Sequence, residues 1–150
     1  MQTQQTSVVS YRQPVASVIK SMGMNYDPHA LSHYGGSPTR TDANRLRDKK
    51  CTEMLAKFID VLKRTKDADG SSLFDHTILS WGTNLRHGHM IKDVPAIVAG
   101  GLPSLKMGHS IVLPEEDTPL GNLWVTLLRQ AGVEVDSLGS STGIVPELLS

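Results

Sequence analysis

The chain has 150 residues, 39% of them apolar, and a formal net charge of zero from 15 basic and 15 acidic residues. That length suits one domain burying about 70% of its unfolded surface. Balanced charge argues against a general nucleic-acid binder, which needs a basic face to displace counterions from phosphates. No run approaches the roughly 18 apolar residues of a membrane span. A lone cysteine, Cys51, excludes an internal disulfide and a cysteine-built zinc site.

The first part of the chain predicts a flexible lead-in followed by a short helix. Residues 1–10 are the lead-in, and its polar start lacks the basic flank and apolar centre of a signal peptide. From Tyr11 to about Met24, apolar residues recur at helical spacing after Pro14.

Two further helices are predicted. The stronger runs from about Asp42 to Lys66, and Cys51 on its apolar face is expected to be inert core. That apolar stripe comprises Leu46, Cys51, Met54, Leu55, Phe58 and Leu62. The other helix opens at Thr118 and Pro119 and ends before Gly132.

Three short apolar runs predict strands. Residues 77–81 and 94–99 are nearly continuous in apolar character, as in strands covered on both faces, and residues 109–113 predict a third, shorter strand. Because strands alternate with helices, the expected fold class is α/β, with a mostly parallel sheet flanked by helices. We expect a single domain over residues 11–150.

The residues from Asp27 to Gly36 place two imidazoles four residues apart between a helix start and a helix stop. Asp27 suits the N-cap, Pro28 suits the first helical position, and a glycine can end the turn. On a helix, His29 and His33 then share one face, with their side chains close together. Two neutral imidazoles aimed at one point form half of a metal site.

A second group of potential ligands lies in loops near the predicted strand ends, where binding sites gather in open α/β sheets. Its members are Asn84, His87, His89 and His109. A site joining His29 and His33 to members of this group would be rich in nitrogen ligands and would suit zinc or iron.

Other interpretations compete with a metal site. The histidines could be solvated or structural, and His76 before a strand is typical of a turn. Ser32 suggests a nucleophile, but nothing local supplies an oxyanion hole or an orienting carboxylate. Arg86 could clamp an anionic group, although a lone loop arginine is more often a structural tether. Gly100 and Gly101 resemble a phosphate-binding turn that lacks the helix expected after it.

Several segments resemble one known family. His29-Ala30-Leu31-Ser32-His33-Tyr34 resembles the signature of the HXXSHH family, an uncharacterised family of exported bacterial proteins, with Tyr34 standing where the signature ends in histidine. Residues 70–79 are similar to its "DGTLLDNTL" stretch, and residues 86–89 with 94–101 are similar to its "RHSH…LPILLAGG". Further similar segments are residues 106–109, 118–123 and 141–143. Together they cover about residues 11–149 in the family's order.

The resemblance implies the C-terminal portion of a longer, exported protein. More distantly, the layout is similar to that of the alkaline phosphatase and sulfatase superfamily, whose members hydrolyse phosphate and sulfate esters with bound metal. That likeness places Asn84 and His87 in a ligand loop, with Asn84 replacing an acid, and His109 at a late ligand position. It also implies that the nucleophile belongs to an N-terminal region that this chain is expected to lack.

Two functions from different classes follow. The first is an HXXSHH-like domain that holds a divalent metal, zinc or iron, and hydrolyses esters feebly or not at all by itself. Its ligands would be His29, His33, His87 and His109, with His89 and Asn84 in reserve. The alternative is a non-catalytic structural or interaction module with structural histidines, whose sheet edge pairs with another copy or an N-terminal region. The expected partners are therefore a second copy, an N-terminal region or an anionic small molecule, with no nucleic acid and no membrane span.

Overall fold

A computed structural model of the chain describes residues 20–83, 85–114, 116 and 118–150. Its elements, in chain order, are helix α1 (Pro28–Ser32), helix α2 (Pro38–Arg64), a 3₁₀ helix (Leu73–His76), strand β1 (Ile78–Gly82), strand β2 (Ala96–Gly100), helix α3 (Leu120–Gln130) and a second 3₁₀ helix (Pro146–Leu148). The predicted lead-in over residues 1–10, and most of the helix predicted from Tyr11 to about Met24, lie outside the described residues. None of the described helices combines the length and apolar character needed to cross a membrane.

The chain divides into two compact units, residues 1–53 and 54–150, with the boundary inside α2. The single domain expected over residues 11–150 stays a prediction, and each unit is described by itself.

In the first unit, α1 is a single turn of helix held by its cap and by one buried side chain. The Asp27 carboxylate accepts hydrogen bonds from the backbone N–H groups of His29 and Ala30 at 2.9 and 3.0 Å, so the predicted N-cap is confirmed. Leu31 is fully buried and packs in a small core with Ala43 of α2. Cap and core together define the direction in which the rest of α1 faces.

Helix α2 confirms the long helix predicted from the sequence, but it begins at Pro38, four residues before the predicted start. Proline suits this first helical position because its missing N–H would have no partner there. The predicted apolar stripe is only partly covered, since Met54 and Phe58 are each 50% exposed. Cys51 is half-buried, and this burial raises the pKa of its thiol.

The raised pKa predicts slow alkylation of Cys51. Only the thiolate reacts, so at about pH 7.5 iodoacetamide should modify folded protein several-fold more slowly than urea-unfolded protein. The rate should climb as the pH rises, and mass spectrometry over time measures it. Equal rates for folded and unfolded protein would show that the thiol is not protected.

The described sheet has two strands, and they are antiparallel. Ile78 lies opposite Gly100 and Gly82 lies opposite Ala96. The expectation of a mostly parallel sheet is therefore wrong, although the described chain does mix helices and strands. A parallel pair needs a crossover, usually through a helix, whereas the described part of the segment between β1 and β2 contains no helix and the chain reverses direction.

The third strand predicted at residues 109–113 is also wrong, because the described backbone there belongs to no strand. Val112 in this segment is 95% exposed. An apolar run alone indicated a strand here, but a strand also needs a neighbour for its backbone hydrogen bonds.

Gly100 and Gly101 serve close packing at the end of β2. A Cβ atom on Gly100 would lie 2.1 Å from the Thr77 carbonyl oxygen, and one on Gly101 would lie 2.4 Å from the Asp75 Cα. The Gly101 N–H donates to the Phe74 carbonyl oxygen at 2.9 Å. These two glycines therefore allow β2 to approach the backbone of the preceding 3₁₀ helix.

The core of the second unit packs on one face of α3. Its buried members are Leu105, Leu123, Leu127 and Val145. The predicted end of this helix is confirmed, since α3 ends at Gln130 and Gly132, two residues later, adopts a positive φ of 80°.

A buried amide ties α3 to a later loop. Asn122 Oδ1 accepts hydrogen bonds from the backbone N–H groups of Thr142 and Gly143 at 2.8 and 3.2 Å, and its Nδ2 donates to Thr142 Oγ1 at 3.2 Å. One turn further on, Thr126 Oγ1 accepts from the Val145 N–H at 2.8 Å. These contacts satisfy the loop's backbone beside the core.

Replacing Asn122 with alanine should lower the free energy of unfolding of the second unit by about 2–3 kcal/mol, because two N–H groups lose their acceptor. Urea denaturation followed by tryptophan fluorescence measures this, since both tryptophans, Trp81 and Trp124, lie in that unit. The control is Ser137→Ala at an exposed position, which should change stability by less than about 0.5 kcal/mol. Similar losses in the two variants would refute the role given to Asn122.

Candidate metal centre

The structure brings His29 and His33 together at the surface of the first unit. Their Nε2 atoms lie 3.2 Å apart. The ring centroids are 4.8 Å apart, the ring planes are tilted by 54°, and both residues are exposed. His29 lies in the first turn of α1 and His33 directly follows its last residue, so the pairing predicted from the four-residue spacing is confirmed.

The distance between the two nitrogens is compatible with two chemical arrangements. One neutral imidazole can donate its N–H to the lone pair of the other. Alternatively, both lone pairs can face one metal ion, because two ligands with metal bonds of about 2.0–2.1 Å at a tetrahedral angle lie about 3.3 Å apart. The hydrogen bond requires one ring to offer a lone pair, whereas metal binding requires both rings to offer one, because an imidazolium ion has no free lone pair.

Ser32 lies between the two histidines in the sequence, but its side chain is hydrogen-bonded to the backbone. Its hydroxyl donates to the His29 carbonyl oxygen at 2.6 Å. This bond fixes the side chain along α1. Tyr34, at the position of the last signature histidine, is half-buried.

The other predicted ligands belong to the second unit. His87 is half-buried, His89 and His109 are exposed, and Asn84 lies outside the described residues. Neither His87 nor His109 belongs to a group of three potential metal ligands among the residues that the structure describes. Their role as ligands stays a prediction.

The loop that carries His87 and His89 is held by its own contacts. The Arg86 guanidinium donates to Asp93 Oδ2 at 2.7 Å, and the Arg86 N–H donates to the Met90 carbonyl oxygen at 2.9 Å. Asp93 itself has a positive φ of 51°. Arg86 is thus a tether within this loop, as the simpler interpretation of the sequence suggested.

One group of potential ligands was missed in the sequence. Asp67, Asp69 and His76 lie close together in the second unit, with ligand atoms within 4.8 Å of one another. The sequence did show two aspartates, two residues apart, directly after the end of a helix. No nearby residue indicated that His76 would turn back towards them.

Comparison of the chain with protein-family models, with curated proteins and with solved structures gave no match. The resemblance to the HXXSHH family therefore rests on the residues of the sequence alone.

Proposed function

We propose that this chain is a metal-binding domain of the HXXSHH type, in which His29 and His33 supply neighbouring imidazole ligands to a divalent transition metal. The observation that supports this most directly is the 3.2 Å separation of their Nε2 atoms. That separation corresponds to an angle of about 103° at a metal with bonds of about 2.05 Å, close to the tetrahedral value. Imidazole pairs of this kind suit zinc or iron.

Two imidazoles alone leave positions for further ligands, water or an anionic substrate. The further protein ligands predicted from the sequence are His87, His89, His109 and Asn84. Alanine substitution at each of them, one at a time, would identify which residues contribute to metal affinity.

A bound divalent metal would supply Lewis acidity, polarising an oxygen of a phosphate or sulfate ester. In this proposal the chain's own side chains supply no activated nucleophile for hydrolysis. Its candidate nucleophile, Ser32, donates its hydroxyl proton to a backbone carbonyl, so no imidazole accepts that proton. We therefore propose binding without efficient hydrolysis.

The double variant His29→Ala, His33→Ala should lose one equivalent of bound zinc, or bind it at least about tenfold more weakly, because both imidazole ligands are removed. Isothermal titration calorimetry on protein without a histidine tag measures stoichiometry and affinity. Circular dichroism checks that the variant remains folded.

A matched control keeps the number of histidines constant. Asn25→His combined with His33→Ala moves one imidazole to an exposed position before α1 and should lose the same equivalent. If either variant binds zinc as tightly and in the same amount as the unmodified protein, His29 and His33 do not form a metal site.

Hydrolysis is tested separately. Zinc-loaded protein should cleave 4-nitrophenyl phosphate and 4-nitrophenyl sulfate no faster than the double variant, since the proposal includes no activated nucleophile. Release of 4-nitrophenolate, followed by absorbance, gives both rates. A rate that requires both histidines and exceeds the variant's rate tenfold would show that the chain is a hydrolase.

The second candidate function is an interaction module, which is favoured by exposed apolar side chains in the second unit. Val112 is 95% exposed and Ile91 is 75% exposed, and both line an open groove of about 1220 Å³. Isolated apolar residues are normal on a surface, whereas exposed apolar side chains that share a groove suit association with a partner. Light scattering separates the candidates: an oligomer that persists without metal and in the double histidine variant would favour the interaction module.

A further inference from the structure

Backbone hydrogen bonds close the loop after α2, so that several of its side chains lie close together. The Asp67 N–H donates to the Ser71 carbonyl oxygen at 2.9 Å, and the Leu73 N–H donates to the Thr65 carbonyl oxygen at 2.9 Å. Gly70, with a φ of 85°, allows the tight reversal between them. Asp67 and Asp69 therefore lie on a defined turn at the end of a long helix.

His76 is positioned by the 3₁₀ helix that follows this loop. Ser72 caps that helix reciprocally with Asp75: the Ser72 N–H donates to Asp75 Oδ2 at 2.9 Å, and the Asp75 N–H donates to Ser72 Oγ at 3.3 Å. The Asp75 carboxylate is occupied by this cap. His76, the last residue of the 3₁₀ helix, reaches back over the loop, and its Nε2 lies 3.4 Å from Asp69 Oδ2.

Ser71 lies between the imidazole and the carboxylate. Its Oγ is 2.5 Å from Asp69 Oδ1 and 2.6 Å from His76 Nε2. A hydroxyl has one proton and an ionised carboxylate can only accept, so Ser71 donates to Asp69 and accepts from the His76 N–H. The imidazole is thus a donor to Ser71, which argues against a serine nucleophile with His76 as its base.

We propose that Asp67, Asp69 and His76 form a divalent transition-metal site, separate in residues and in chemistry from the His29–His33 pair. Their ligand atoms lie within 4.8 Å of one another, so movements of less than about 1 Å by exposed side chains would place them around one ion with bonds of about 2.1 Å. When a neutral His76 binds metal, the proton now on Nε2 would move through solvent to Nδ1, and the Nε2 lone pair would face the ion in place of the hydrogen bond to Ser71 Oγ.

The ligand chemistry selects the class of metal. Calcium and magnesium take oxygen ligands, whereas one imidazole nitrogen with two carboxylates suits zinc, manganese or iron. Three protein ligands leave open positions for water or a bound anion. The Ser71 hydrogen bonds, and to a lesser extent the charge of His76, hold the pKa of the Asp69 carboxyl below its usual range.

The test starts from the His29→Ala, His33→Ala variant, so that the first site does not contribute. This protein should still bind one equivalent of zinc by calorimetry. Adding His76→Ala or Asp67→Asn should weaken that binding at least about tenfold, because each change removes one of three ligands. The matched control is Asp60→Asn, which removes an exposed carboxylate of α2 outside the loop and should leave the affinity unchanged.

Nuclear magnetic resonance of histidine-labelled protein provides a readout that needs no substitution in the loop. One equivalent of zinc should shift the Nε2 resonance of His76, and excess calcium should not. Absence of zinc binding in the double histidine variant, or no change on His76→Ala, would overturn the proposal. Weaker zinc binding on Asp67→Asn without any weakening on His76→Ala would also overturn the proposal. That result would show only a general attraction of cations to carboxylates.

Discussion

The Asp27 cap and the burial of Leu31 together hold the single helical turn that brings the His29 and His33 side chains together. A one-turn helix is unstable alone, because nucleation fixes several residues for each hydrogen bond gained. The two backbone bonds to Asp27 contribute about 1 kcal/mol. Complete burial of Leu31 against Ala43 adds about 2–3 kcal/mol. With Leu31 facing the core, the histidines on the other side of α1 face solvent, where a metal can reach both.

The second unit is organised around a different kind of contact. Asn122 fills a buried position on α3 and satisfies the backbone of the loop at Thr142 and Gly143. Residues 118–123 and 141–143 were two of the separate segments that resembled the HXXSHH family, and this amide joins them. Thr126, one turn further along α3, does the same for the Val145 N–H, so these two buried polar residues satisfy backbone groups that would otherwise lack a partner.

Local features could be predicted from the sequence, and long-range ones could not. The Asp27 cap, the pairing of His29 with His33 and the end of α3 at Gly132 depend on residues within a few positions of one another, and all three are confirmed. The direction of β2 depends on how the chain returns from β1, and continuous apolar character does not distinguish parallel from antiparallel neighbours. The convergence of His76 on Asp69 depends on closure of the loop between them, for which the sequence contains no periodic signal.

The most direct test of the central claim is nuclear magnetic resonance of histidine-labelled protein during zinc addition, with the ring nitrogens of His29 and His33 assigned by substitution. The account predicts that both Nε2 resonances move together, reach their end point at the same zinc concentration, and remain in their starting positions when calcium is added instead. Resonances that stay unchanged through the titration, or a change in only one of the two rings, would contradict a shared metal ion and leave the 3.2 Å contact as a hydrogen bond between two imidazoles.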